Sequence, residues 1–153
     1  MKKIKFNPSD IANFEICNCH IIYKILRRVK GENIPEKEKT KTEIEYQKQG
    51  EKIEADFLSK IQLNGFHGIS SNEIHIKIIK GNSIEEKLKK TQELILNQNK
   101  IIYQACLNDE NFIGYPDFLI KLDESNGFEV LDVKRSREPK KNHITQIQAY
   151  NFL

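Results

Sequence analysis

The stretch Gly114-Tyr115-Pro116-Asp117-Phe118-Leu119-Ile120-Lys121, followed by Phe128-Glu129-Val130-Leu131-Asp132-Val133-Lys134, decides how this chain is read. Both segments are β-rich, and Asp123-Glu124-Ser125-Asn126-Gly127 between them is turn chemistry. A hairpin that pairs Lys121 with Phe128 sets Asp117 opposite Asp132. Facing Cβ atoms in such a ladder lie about 4.5–5.5 Å apart. A slip of one residue would send the two acids to different faces. Lys134 follows Asp132 by two residues and shares its face. Leu131 and Val133 fill the other face, while Phe128 and Val130 precede Asp132 on its own. That is the pattern of a central strand, where an unpaired Asp is costly.

Two like charges facing each other need a proton on one of them or a cation between them. The spacing leaves two readings open. One is a metal-plus-base site, in which oxygen donors without nearby His or Cys suit Mg²⁺ or Mn²⁺. The other is an ordinary solvated hairpin.

Outward from this hairpin, the pattern predicts an α+β or mixed α/β domain. Ser9 reads as the N-cap of a first helix over about 9–28, with Ile11, Phe14, Ile21 and Ile25 at helical spacing. A second helix is expected over about 40–62, with Ile53, Phe57, Leu58 and Ile61 on one face, closed by Asn64-Gly65. The alternation of Ile74, Ile76 and Ile78 predicts a strand. Ser83-Ile84-Glu85-Glu86 is a capping box opening a third helix to about 97. Its Lys87, Lys89 and Lys90 read as a wet face. Segments 101–107, 112–121 and 128–134 form an antiparallel meander, and a last helix starts near 142. Gly31 to Thr42, with Pro35, reads as a solvated connection.

The chain has 153 residues, 38% hydrophobic and 31% charged, with 25 Lys and Arg against 22 Asp and Glu. That fits one domain with a core, a helical part over about 1–65 and the sheet core with the last helix over about 66–153. A net charge of +3 does not by itself indicate nucleic acid. No apolar run is long enough for a membrane span or a secretory leader. Cys17, Cys19 and Cys106 read as reduced thiols in a cytoplasmic protein.

At Pro116-Asp117 and Asp132-Val133-Lys134 the sequence resembles the PD-(D/E)xK nuclease superfamily, and more narrowly its RecB-like branch, which includes the CRISPR-associated exonucleases. Four further pieces are similar, in the family's order. They are Ser9-Asp10-Ile11 leading to Phe14 and Cys17; Gly50-Glu51-Lys52-Ile53-Glu54; Gly114 to Asp117; and Gln146-Ile147-Gln148-Ala149-Tyr150. Asp132 stands where many superfamily members carry Glu.

The resemblance implies a restriction-endonuclease-like core, a central mixed sheet with an antiparallel meander flanked by helices. It implies Mg²⁺ or Mn²⁺ held by Glu54, Asp117, Asp132 and the Val133 carbonyl. Lys134 would orient water and offset charge on phosphorus, and Gln146 and Tyr150 would position the site or the strand. The activity implied is hydrolysis of DNA phosphodiesters, on single strands or duplex ends, in repair, recombination or defence. A helicase or another nucleic-acid-processing protein would be a partner, and a membrane would not. Relatives continue with more helix beyond a point like Leu153, so the chain reads as a C-terminally shortened version.

Some relatives hold an iron–sulfur cluster through four thiolates. With Cys106 on a strand and no C-terminal trio, no cluster is expected here. Gly50, inside a helix at about 1 kcal/mol relative to Ala, suggests close backbone approach. The run Lys134-Arg135-Ser136-Arg137-Glu138-Pro139-Lys140-Lys141 reads either as a phosphate-tracking loop through Lys134, Arg135, Arg137, Lys140 and Lys141, or as a solvated loop. His143 is a further candidate phosphate contact. Two other functions stay open: a nuclease-fold module that binds nucleic acid or a protein without cutting, and a small scaffold of unrelated fold.

Overall fold

Short polar caps and a broken hairpin ladder set the order of elements. The computed structural model describes residues 4–29, 31, 38–66, 68–71, 83–122 and 127–153. Among these are helices α1 (Pro8–Ile16), α2 (Cys19–Val29), α3 (Lys41–Asn64), α4 (Ile84–Leu96) and α5 (Lys141–Ala149). The strands are β1 (Ile101–Tyr103), β2 (Leu107–Asn108), β3 (Ile113–Gly114), β4 (Phe118–Lys121) and β5 (Phe128–Leu131). A 3₁₀ turn, Tyr150–Phe152, follows α5. The fold is mixed α+β, with one antiparallel sheet in the order β1-β4-β5 and a two-stranded sheet of β2 and β3. The strand expected over 74–78 and most of the 123–127 turn lie outside the described residues.

The chain divides into two compact units. One, the sheet unit, is Glu45–Leu107 with Tyr115–Arg135. Its three strands carry α3 on one face and α4 on the other. On the α3 side, Phe57, Leu58 and Ile61 pack with Ile101, Tyr103, Phe118, Ile120 and Leu131. Phe118 is fully buried and meets the Phe57 ring edge-on at 5.6 Å. On the α4 side, Leu94 and Ile95 pack with Ile102, Ala105, Leu119, Phe128 and Val130. Strict alternation along β4 and β5 produces both layers. Thr40 caps α3, taking the Glu43 N–H at 3.2 Å while the Glu43 carboxylate accepts the Thr40 N–H at 2.7 Å. Ser83 caps α4 through the Glu86 N–H at 3.1 Å. Inside the core, buried Thr91 is satisfied twice: its hydroxyl donates to the Lys87 carbonyl and accepts the Cys106 N–H, both at 2.9 Å.

The terminal unit is Met1–Ile44, Asn108–Gly114 and Ser136–Leu153. Here α1 packs on α5 and α2. Phe6 bridges to Phe112 beside the β2–β3 hairpin, with N–H···O bonds to Asn111 and from Ile113 at 2.9 and 2.8 Å. Two expectations are corrected in this unit. The single helix over 9–28 is two helices, since Cys17 is extended and ends α1. The cap is Asn7 rather than Ser9: Asn7 takes the Asp10 N–H at 2.7 Å, the Asp10 carboxylate accepts the Asn7 N–H at 2.8 Å, and Pro8 fills the first helical position. In the meander, 101–107 and 112–121 are each broken in two. Gln104 adopts φ +52 after β1, and Pro116 interrupts the second segment.

Candidate active site

The β4–β5 register pairs Phe118 with Leu131, Leu119 with Val130, Ile120 with Glu129 and Lys121 with Phe128. This is the expected register; carried one rung further it would set Asp117 opposite Asp132, and the charge of Asp132 does act on Asp117. The ladder stops there for a chemical reason. Pro116 has no N–H to offer, and the Val133 N–H donates to Asp117 Oδ2 at 2.7 Å instead of to a main-chain carbonyl. The Asp132 side chain is 4% exposed, and Lys134 Nζ reaches its Oδ2 at 2.7 Å from a side chain 31% exposed. Lys134 therefore stands on the Asp132 face, as the spacing predicts.

Burial pushes the Asp117 carboxyl up to about 7, and the charges of Asp132 and then Glu54 push the same way. The Val133 N–H and the Lys134 ammonium pull against them. Glu54 comes from α3. Its Oε1 accepts Gln104 Nε2 at 3.3 Å, and the same nitrogen lies 3.2 Å from the Tyr103 hydroxyl. Burial raises the Tyr103 phenol, and its hydrogen bond to Glu54 adds to the rise. Asp117 is thus a half-buried acid in the field of two others, with one ammonium nearby.

No family model, no curated protein and no solved structure matches this chain.

The donor chemistry can be tested on the geometry itself. Among the described residues, no three His, Cys, Asp or Glu side chains converge on one ion position. Glu54 is near enough to raise Asp117 but is engaged by Gln104 and Tyr103. What remains is the neighbouring carboxylates of Asp117 and Asp132, with one oxygen of each committed, to Val133 and to Lys134. Mg²⁺ is commonly bound by one or two carboxylates and keeps several waters. The Asp117–Asp132 pair fits such an ion, and like-charge crowding at Asp117 is what a cation would relieve.

The remaining candidates fall in varied places. Gln146 is half-buried on α5, and Tyr150 is 6% exposed in the 3₁₀ turn. Both belong to the terminal unit, whereas Glu54, Asp117, Asp132, Val133 and Lys134 belong to the sheet unit. The Tyr150 ring packs on Gly114: a Cβ there would come within 2.6 Å of Tyr150 Cε1 and of Leu153 Cδ1. Gly114 makes a close approach, as does Gly65, where a Cβ would come within 2.3 Å of the Ile69 carbonyl oxygen. Gly50 does not, since a Cβ there would meet open space, which corrects the reading from helix propensity. Arg135 folds back on α3, donating to Gln49 Oε1 at 2.7 Å with its guanidinium 4.2 Å from the Tyr46 ring centroid. Lys141 pairs with Glu15 at 3.2 Å, and Arg137 and Lys140 are exposed. His143 Nδ1 accepts the Lys140 N–H at 3.3 Å and so helps close the first turn of α5. Cys17 and Cys19 are exposed, Cys106 is buried, and none of the three is in a disulfide.

Sequence reasoning missed Tyr103, Gln104, Tyr115 and Lys87. Gln104 is a non-glycine residue in the left-handed region, a conformation that costs of order 1–3 kcal/mol and gathers at functional sites. Its N–H donates to the Asp117 carbonyl at 2.7 Å, so the irregular turn is fastened to the acid-bearing segment. Lys87 is no plain wet-face residue. It is half-buried, and its ammonium lies 5.8 Å from the Tyr115 ring centroid, while Lys89 and Lys90 are exposed. Tyr115, beside Pro116 in the quoted stretch, carried the only sequence signal.

Proposed function

We propose that this chain is a divalent-metal-dependent nuclease of the RecB-like, restriction-endonuclease-like kind, hydrolysing DNA phosphodiester bonds by attack of water on phosphorus. The observation that carries the reading is the cluster just past the paired strands: Asp117 Oδ2 takes the Val133 N–H at 2.7 Å and Lys134 Nζ lies on Asp132 at 2.7 Å. Asp117 and Asp132 would hold Mg²⁺ or Mn²⁺. When bound, such an ion polarises a phosphate oxygen and acidifies water. The residues supply the rest. The Val133 N–H fixes the Asp117 carboxylate, so the donor is preset rather than recruited. Lys134, partly open to solvent, offsets negative charge developing on the phosphate and orients the attacking water. Glu54, held by Gln104 and Tyr103, keeps the Asp117 side electronegative and so favours a cation there.

The test is cleavage of labelled single- and double-stranded DNA in Mn²⁺ and in EDTA. Cleavage is expected in Mn²⁺ alone. It should disappear in Asp132→Ala and fall by about 10² or more in Lys134→Ala, the scale of losing one charge-stabilising group. Lys60→Ala, at an exposed lysine of α3, should cleave at the parent rate. Cleavage that persists in EDTA, or that survives Asp132→Ala, overturns the proposal.

One observation favours a second reading, a nuclease-fold module that binds nucleic acid or a protein partner without cutting. It is the lack, among the described residues, of three converging acid, His or Cys side chains. Oligonucleotide binding without Mn²⁺-dependent cleavage would select it.

A further inference from the structure

Beside Asp117 the sheet unit holds a cavity of about 230 Å³ lined by Lys87, Gln104, Tyr115 and Asp117. Each wall has a separate cause. Lys87 rises from the first turns of α4. Tyr115 precedes Pro116, which confines it to extended backbone, and Pro116 itself is fully buried. Burial raises the Tyr115 phenol, and the neighbouring Cys106 thiol adds to the rise. Yet Tyr115 remains 45% exposed. Gln104 is placed by its left-handed backbone, with its amide nitrogen engaged by Glu54 and Tyr103. The cavity is smaller than the roughly 300–1,000 Å³ of small-molecule pockets. It suits one unit of a polymer better than a free cofactor.

We infer that Lys87, Gln104 and Tyr115 form a subsite for one unpaired nucleotide of a single strand, with the base stacked on Tyr115 and a phosphate on Lys87. The inference rests on the nuclease reading for its polymer and adds the strand's seat. An exposed aromatic ring beside a cation is the combination by which proteins hold single strands without reading sequence. Asp117 repels phosphate, so the anion goes to Lys87, the one cation among the described residues that line the cavity. Stacking a base on the ring contributes more than the exposed Lys87–Tyr115 contact does on its own.

The experiment is fluorescence anisotropy of a labelled oligothymidylate with the full chain in EDTA, where cleavage plays no part. Tyr115→Ala should weaken binding about tenfold or more, with Tyr115→Trp at or above parent affinity. Lys87→Met should weaken binding and reduce the salt slope by about 0.7, one single-strand phosphate contact, whereas Lys90→Met should leave both unchanged. A duplex probe should bind more weakly and without dependence on Tyr115. Parent-like binding by Tyr115→Ala, equal dependence with duplex, or no binding by the parent chain overturns the subsite. Tyr115-dependent binding without Mn²⁺-dependent cleavage sinks the nuclease and keeps the subsite. Cleavage with Tyr115-independent binding does the reverse. Thermal melts of each variant separate lost binding from lost fold.

Discussion

Two carboxylates of this chain each hold a lysine, in opposite surroundings. Glu15, on α1 of the terminal unit, meets Lys141, whose side chain is 85% exposed, and accepts from Thr145. Those hydrogen bonds hold the Glu15 carboxyl below its ordinary value. Asp132, in the sheet unit, is 4% exposed, meets a lysine 31% exposed, and neighbours a second acid that is pushed up to about 7. At Glu15 one carboxylate meets one ammonium at the surface. Around Asp132, acids accumulate faster than cations. Such an excess is a structural liability unless a positive ligand completes it, which is why the function is placed there.

Removing the lysines tests that contrast most strongly. Lys134→Ala strands a nearly dry carboxylate and should lower stability by about 2 kcal/mol, the scale of a lost hydrogen bond to a charged group. Lys141→Ala should cost under about 0.5 kcal/mol, as exposed pairs do. Urea melts of the two variants measure the difference, and equal losses would erase the contrast.

The glycines sharpen it on the packing side. Gly114→Ala drives a methyl into the Tyr150 ring and should cost about 1–2 kcal/mol by overpacking. Gly50→Ala adds a methyl in open space on α3 and should stabilise by about 0.5–1 kcal/mol. Thermal denaturation of both variants checks the opposite signs.

The smallest expected effects are in pH. The folded-state value of Asp117 lies above its ordinary 3.8. Its contribution is therefore present below that ordinary value and lost as pH rises through about 7. The metal-free chain should weaken over that window, and Asp117→Asn should remove the loss while still accepting the Val133 N–H. Glu15 runs the other way. Its lowered value gives stability above the ordinary carboxylate range that is lost on acidification. Chemical melts at several pH values, parent against Asp117→Asn and Glu15→Gln, resolve the two signs.

Much of the sheet unit was legible because alternation is strict. Phe118 and Ile120 against Leu119, and Val130 against Leu131, fix which face each strand buries, and the turn residues fix the register. The pairing of Lys134 with Asp132 followed from the same period of two. The helix break was not legible, because the apolar spacing of Phe14, Ile21 and Ile25 runs across Cys17 as though the helix continued. Ser9 and Asn7 are both cap-forming types, and Pro8 between them selects Asn7, because proline suits the first helical position. Gln104 carries no turn signature, so the end of β1 was invisible. Lys87 and Tyr115 meet only through tertiary packing of α4 on the sheet, which no local pattern records.

The Asp117 carboxylate also finishes the strand pair that Pro116 leaves incomplete. Under the proposed function, a single side chain would be both fastener and metal ligand. Whatever draws its charge, a proton or a cation, tugs on the backbone at the threshold of Lys134. Chemistry at the acids and alignment of the lysine are geared together by one amide hydrogen.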